Sequence, residues 1–145
     1  MSEYVMDNIE RKYLENMSAG VVLSSPSENG PYTSSIHCFY YAVLLFMKHR
    51  LAHVDHAISY TEQEERAKTS QEGGSHDYII NELANRMITS DKNVRVFKQD
   101  IRSLKQKRVL ADYGEMIFSQ EESLECRAQA EGLINDIKRY TRIAV

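Results

Sequence analysis

Ile36-His37-Cys38-Phe39-Tyr40-Tyr41-Ala42-Val43-Leu44-Leu45-Phe46-Met47-Lys48-His49-Arg50-Leu51 is the stretch that decides the fold. Ile36, Phe39, Tyr40, Val43, Met47, Leu51 and Val54 recur at steps of three and four residues, the period of an α-helix. Cys38, Ala42, Leu45 and Phe46 carry apolar character round to a second face. A helix that is apolar on two sides belongs at the centre of a bundle, or also serves a subunit interface. The spacing predicts a helix from Ser34 or Ser35, either able to cap it, to about His56. Cys38 reads as a buried small hydrophobe and His37 as helix-start packing. The longest apolar run, Phe39 to Met47, is about half the length that crosses a bilayer.

Outward from this helix the pattern stays helical. Val5, Ile9, Lys12, Tyr13, Asn16 and Met17 mark a first helix over 5–23, and Ser24 to Pro31 is a loop holding both prolines. Residues 60–75 are polar and end in Gly73-Gly74, so a mobile loop is expected near 58–75. A helix from Ser75 or His76 to about Ile88 should turn Ile79, Ile80, Leu83, Ala84 and Met87 inward. Thr89-Ser90-Asp91 makes a break and a cap. In the next helix, over 92–117, Val94, Phe97, Ile101 and Leu104 form one stripe, and its continuation falls on Arg108, Ala111 and Glu115. Ser119-Gln120-Glu121-Glu122 is a capping box opening a last helix to about Arg142, with Leu124, Ala130, Leu133, Ile134 and Ile137 inward. The expectation is all-α: one domain over 1–145, a compact bundle of about five helices.

The 145 residues suffice to bury a core without covalent staples. Cys38 and Cys126 make no disulfide framework, and Glu3 and Asp7 stand where a secretion signal would be basic, so a cytoplasmic protein without a membrane anchor is expected. The net charge of −3 is unevenly spread: Lys92 to Arg108 holds seven basic residues against one acid. Lys92, Arg95, Lys98, Arg102 and Lys105 form a ridge suited to a nucleic-acid backbone, although a solvated helix face has the same composition.

Arg108 stands where the stripe asks for an apolar residue. A guanidinium on a buried face needs a carboxylate, and Asp112 lies one turn on. His49, His53 and His56 share a helical face beside Asp55, a pattern that can hold zinc. No fourth ligand follows nearby in sequence, so no metal or other cofactor is expected.

These residues carry a family resemblance. Phe39-Tyr40-Tyr41-Ala42-Val43 resembles the aromatic Tyr-Tyr-Ala helix of HEPN domains (higher eukaryotes and prokaryotes nucleotide-binding). Ser75-His76 is similar to a Ser-His that opens a helix in one branch of that family. Arg108 with Ala111-Asp112-Tyr113 is similar to that branch's Arg-x-x-Ala-Asp-Tyr segment, and Ser119 to Glu122, followed by Ala130, to its closing helix. The resemblance implies an up-and-down bundle that forms a homodimer. Many members are metal-independent ribonucleases, often toxins paired with a nucleotidyltransferase or other antitoxin, whose signature is Arg, four to six residues, then His.

Arg108 matches that Arg, but no histidine follows His76, and the position five beyond Arg108 is Tyr113. Cleavage of RNA by its 2′-hydroxyl needs proton exchange near neutral pH, where histidine titrates and tyrosine, near 10, stays protonated. Tyr113 therefore suits a donor, and His76 is the candidate to supply the missing imidazole. The catalytic candidates are Arg108, Asp112, Tyr113 and His76. Two functions are open: a protein acting on or binding RNA in a toxin–antitoxin or defence setting, and a non-catalytic domain that docks a partner such as a nucleotidyltransferase.

Overall fold

The computed structural model describes residues 5–69 and 74–143. Among them, six α-helices follow in order: α1 (Asn8–Leu23), α2 (Tyr32–His53), α3 (Tyr60–Thr69), α4 (Ser75–Ala84), α5 (Asp91–Tyr113) and α6 (Gln120–Tyr140). The only β pairing in the described residues is an isolated bridge between Val54 and Ile143.

All seven residues of the α2 stripe are buried, along with Ala42 and Phe46 of the second face. The other five helices pack around α2. Phe97, Ile101 and Leu104 of α5 and Ala130, Leu133, Ile134 and Ile137 of α6 join the same core cluster. Gly20 lets α1 approach α2 closely, because a Cβ there would sit 2.6 Å from the buried Phe39 ring. Ser35 and Ser123, both fully buried, hydrogen-bond to each other and tie α2 to α6. Arg50 donates from Nε to Thr141 Oγ1 and from Nη2 to the Thr141 carbonyl, both at 3.1 Å.

The ends of the helices differ from the sequence reading in several places. Neither Ser34 nor Ser35 caps α2, which begins at Tyr32 after Pro31, and α2 stops at His53 instead of His56. His56 lies in the following turn at φ 57°, where its carbonyl accepts from the Arg86 guanidinium. Ser90 caps α5, and the capping box of Ser119 and Glu122 is present with both its hydrogen bonds. Val5 and Leu124 are exposed, contrary to expectation. The cysteines exchange roles: Cys126 is the buried one, while Cys38 is only half-buried.

The largest departure is α3. Most of the expected mobile loop is helix, and residues 70–73 lie outside the described ones. Its start carries a local signal, since Ser59 Oγ accepts from the Glu62 backbone N–H at 3.3 Å. Arg66 then pairs with Glu62 at 3.0 Å along one face. Gln63 docks the helix, donating from Nε2 to the carbonyls of Ile58 (2.8 Å) and Lys48 (3.1 Å). A helix attached through an amide has no apolar stripe for periodicity to detect.

Candidate functional site

Arg108 follows from the α5 stripe: it occupies the core-facing position and is only 7% exposed. Its desolvation is offset by Asp112, whose Oδ2 lies 3.5 Å from Nη1, and by aromatic rings. The guanidinium carbon sits 5.2 Å from the Tyr40 ring centre, 5.5 Å from Tyr41 and 6.0 Å from Tyr113. Its Nε is buried with no hydrogen-bond partner among the described residues. A buried, unmatched N–H on a cation is a place where an acceptor atom would be welcome.

Asp112 is shared. The same Oδ2 lies 2.8 Å from His37 Nδ1, and the His37 side chain is 48% exposed. With Nδ1 engaged by a carboxylate, Nε2 is the nitrogen left to exchange a proton outside. His37 is therefore not helix-start packing; it reaches from the first turns of α2 to the last turn of α5. The sequence held one hint of this: His37 precedes Tyr40 and Tyr41 by three and four residues, so all three share one end of one face.

His76 enters from α4. Its Nδ1 lies 2.9 Å from the Tyr40 hydroxyl, and the Tyr41 ring meets it edge-on at 5.9 Å. Burial, with Lys105, Arg108 and Lys48 as further repelling charges, pushes its pKa down to about 4. Burial also pushes the Tyr40 hydroxyl well above its ordinary value, so that the phenol keeps its proton. At neutral pH this pair is an uncharged hydrogen-bonded contact beside a permanent cation.

The structure thus brings together all four sequence-derived candidates: Arg108, Asp112, Tyr113 and His76. It adds His37, Tyr40 and Tyr41. Tyr113 is the outermost, 78% exposed. The ridge along α5 divides. Lys92 and Arg95 are exposed, whereas Arg102 reaches Asn81 Oδ1 at 3.4 Å and Lys105 pairs with Asp77 at 3.4 Å. Lys98 is half-buried. Lys105 lies seven residues before Asp112, so the ridge runs on the helix surface towards the site.

A cleft of about 470 Å³ lies elsewhere, bounded by Ile9, Lys48, Tyr60, Gln63 and Ile79 among others, and none of the site residues lines it. No helix among the described residues is long and apolar enough to cross a membrane. No family model, curated protein or solved structure matches this chain. The chemistry of the site is accordingly read from its own geometry.

Proposed function

We propose that this chain acts on RNA through a HEPN-like site, as a metal-independent ribonuclease in which His37 stands in for the motif histidine. The observation that carries this reading is the carboxylate of Asp112, placed between an exposed imidazole and a buried guanidinium. That arrangement supplies a proton acceptor with a defined tautomer and, next to it, a fixed positive charge for a phosphate. In this scheme the RNA 2′-hydroxyl gives its proton to His37 Nε2 and its oxygen attacks phosphorus. The 5′ oxygen leaves with the proton of the Tyr113 hydroxyl, giving a 2′,3′-cyclic phosphate. His76 and Tyr40, uncharged, position the Arg108 side of the site. Lys92, Arg95, Lys98, Arg102 and Lys105 bring the RNA backbone to it.

A second reading has one observation in its favour. Val109, Leu110, Tyr113, Met116 and Ile117, at the end of α5 and just beyond, are all exposed, Ile117 at 85%. An apolar rim at this place suits a homodimer that closes over the site, or a docked partner such as a nucleotidyltransferase. A toxin–antitoxin or defence role, in the cytoplasm, accommodates both.

The test is cleavage of mixed single-stranded RNA in EDTA by the wild type, His37→Ala and Arg108→Ala. We expect the wild type to cut and His37→Ala, altered at an exposed residue, to lose about 10²- to 10⁴-fold in rate while staying folded. Wild-type protein that leaves RNA intact refutes the ribonuclease reading. Partner capture at the apolar rim, lost with Ile117→Asp, would then support the docking domain.

A further inference from the structure

A second group of titratable side chains lies at the other end of α2, independent of the site above. His49 and His53, one turn apart, lie with their ring centres 4.6 Å apart and their planes tilted by 47°. They face the beginning of α1. Asp7 Oδ2 lies 3.4 Å from His53 Nε2, and Glu10 Oε2 lies 3.0 Å from His49 Nε2. One ligand atom from each of Asp7, His49 and His53 lies within 4.8 Å of the other two.

The sequence pattern had grouped His49, His53 and His56, and the fold replaces the third. α2 ends at His53, so His56 turns away, and α1 delivers two carboxylates in its place. His49 is 5% exposed, and its Nδ1 is buried with no hydrogen-bond partner among the described residues. An imidazole so enclosed, with one nitrogen held by a carboxylate, matches the way proteins orient histidines that bind metal.

We propose that Asp7, His49 and His53 bind one divalent transition-metal ion of the zinc class, with Glu10 supplying the second negative charge, and that the ion clamps α1 to α2. Two imidazoles and one carboxylate suit zinc, cobalt or nickel; calcium and magnesium prefer all-oxygen sets. Ligands at about 2.0–2.2 Å from zinc sit closer together than 4.8 Å, so binding draws the two helices inward by a small side-chain movement. Asp7 already caps α1 through Oδ1, which accepts from the Glu10 N–H at 2.8 Å. Oδ2, which accepts from the Tyr60 hydroxyl at 2.6 Å, faces the cluster. The clamp therefore acts where α1 begins, next to α3.

The experiment uses tag-free full-length protein stripped with EDTA and dialysed, titrated with Zn²⁺ by calorimetry and with Co²⁺ by visible absorption. We expect one equivalent to bind, a rise in the melting temperature, and cobalt d–d bands of low coordination number. His53→Ala should weaken binding by about 100-fold. Asp7→Asn, which preserves the helix cap, should do the same. Both sites of change are at least partly exposed, and circular dichroism checks that the variants fold. His56→Ala should leave the titration unchanged. Absence of stoichiometric zinc, or equal affinity in His53→Ala and wild type, would overturn the proposal and leave the cluster as a hydrogen-bonded clasp. RNA cleavage plays no part in these readouts.

Discussion

The two ends of α2 carry opposite chemistry on one helix. At its beginning, Tyr40 and Tyr41 face Arg108 and His37 meets Asp112, while burial, helped by the charges of Lys105, Arg108 and Lys48, drives the neighbouring His76 towards neutrality. At its end, His49 and His53 face Asp7 and Glu10. Under the two proposals above, the first cluster receives an anion and the second holds a cation. The twelve helical steps from His37 to His49 separate them by about 18 Å along the axis. What decides each character is the partner helix, since histidine and aromatic residues occur at both ends of α2. α5 brings a guanidinium and α1 brings carboxylates.

The strongest way to break this contrast is to invert the charge that leads to the first end. Arg95→Glu, Lys98→Glu and Arg102→Glu together should weaken single-stranded RNA binding by roughly 100-fold or more at about 0.1 M salt, and flatten its salt dependence. Zinc titration of the same variant should be unaltered. Unchanged RNA affinity, measured by fluorescence anisotropy, would remove the anion-binding character from this end.

A smaller effect sharpens the electrostatic argument. His76 is pushed down to about 4 from its ordinary 6.5, so the unfolded chain takes up its proton first as pH falls. The stabilising contribution is fully present above pH 6.5 and is lost between 6.5 and 4. The loss should be on the order of 3 kcal/mol by urea unfolding. His76→Gln should flatten that part of the pH profile. A phosphate or RNA held beside Arg108 adds negative charge and should raise the His76 pKa, visible in its ring-proton shifts. A titration that stays near 6.5 without ligand would contradict the assigned surroundings.

The smallest effect concerns the second end. Tyr60→Phe removes the hydroxyl that donates to Asp7 at 2.6 Å. Without metal it should cost about 1 kcal/mol of stability, with RNA cleavage unaffected. A change in cleavage would mean that the two ends communicate, against the picture of separate sites.

The helix caps show where reading a sequence works and where it stops. Ser119 and Glu122 open α6 with a full capping box, whereas at α3 the Glu62 N–H donates to Ser59 Oγ and the Ser59 hydroxyl donates to the Glu62 carboxylate. α6 also has an apolar stripe, so cap and period agree. α3 has the cap alone, in a polar segment, and composition argued for a loop. Its helix is held by Gln63 reaching main-chain carbonyls of Lys48 and Ile58, a contact that no periodicity announces. The candidate site divides in the same manner. Arg108 and Asp112 are visible as an i, i+4 pair on one helix. His37 lies seventy-five residues from Asp112, and only packing brings them to 2.8 Å.

The sequence by itself determined that this chain is helical, that α2 is its centre and that Arg108 lies buried in need of a carboxylate. Each follows from the 3.6-residue period or from the cost of an unpaired charge, and both act locally. Only the tertiary structure decided that His37 shares Asp112 with Arg108 and that His49 and His53 meet Asp7 and Glu10 in place of His56. Those pairings depend on where helices stop and how they lie across one another. A side chain's chemical role is set by groups within a few ångströms, and most of these come from distant parts of the chain.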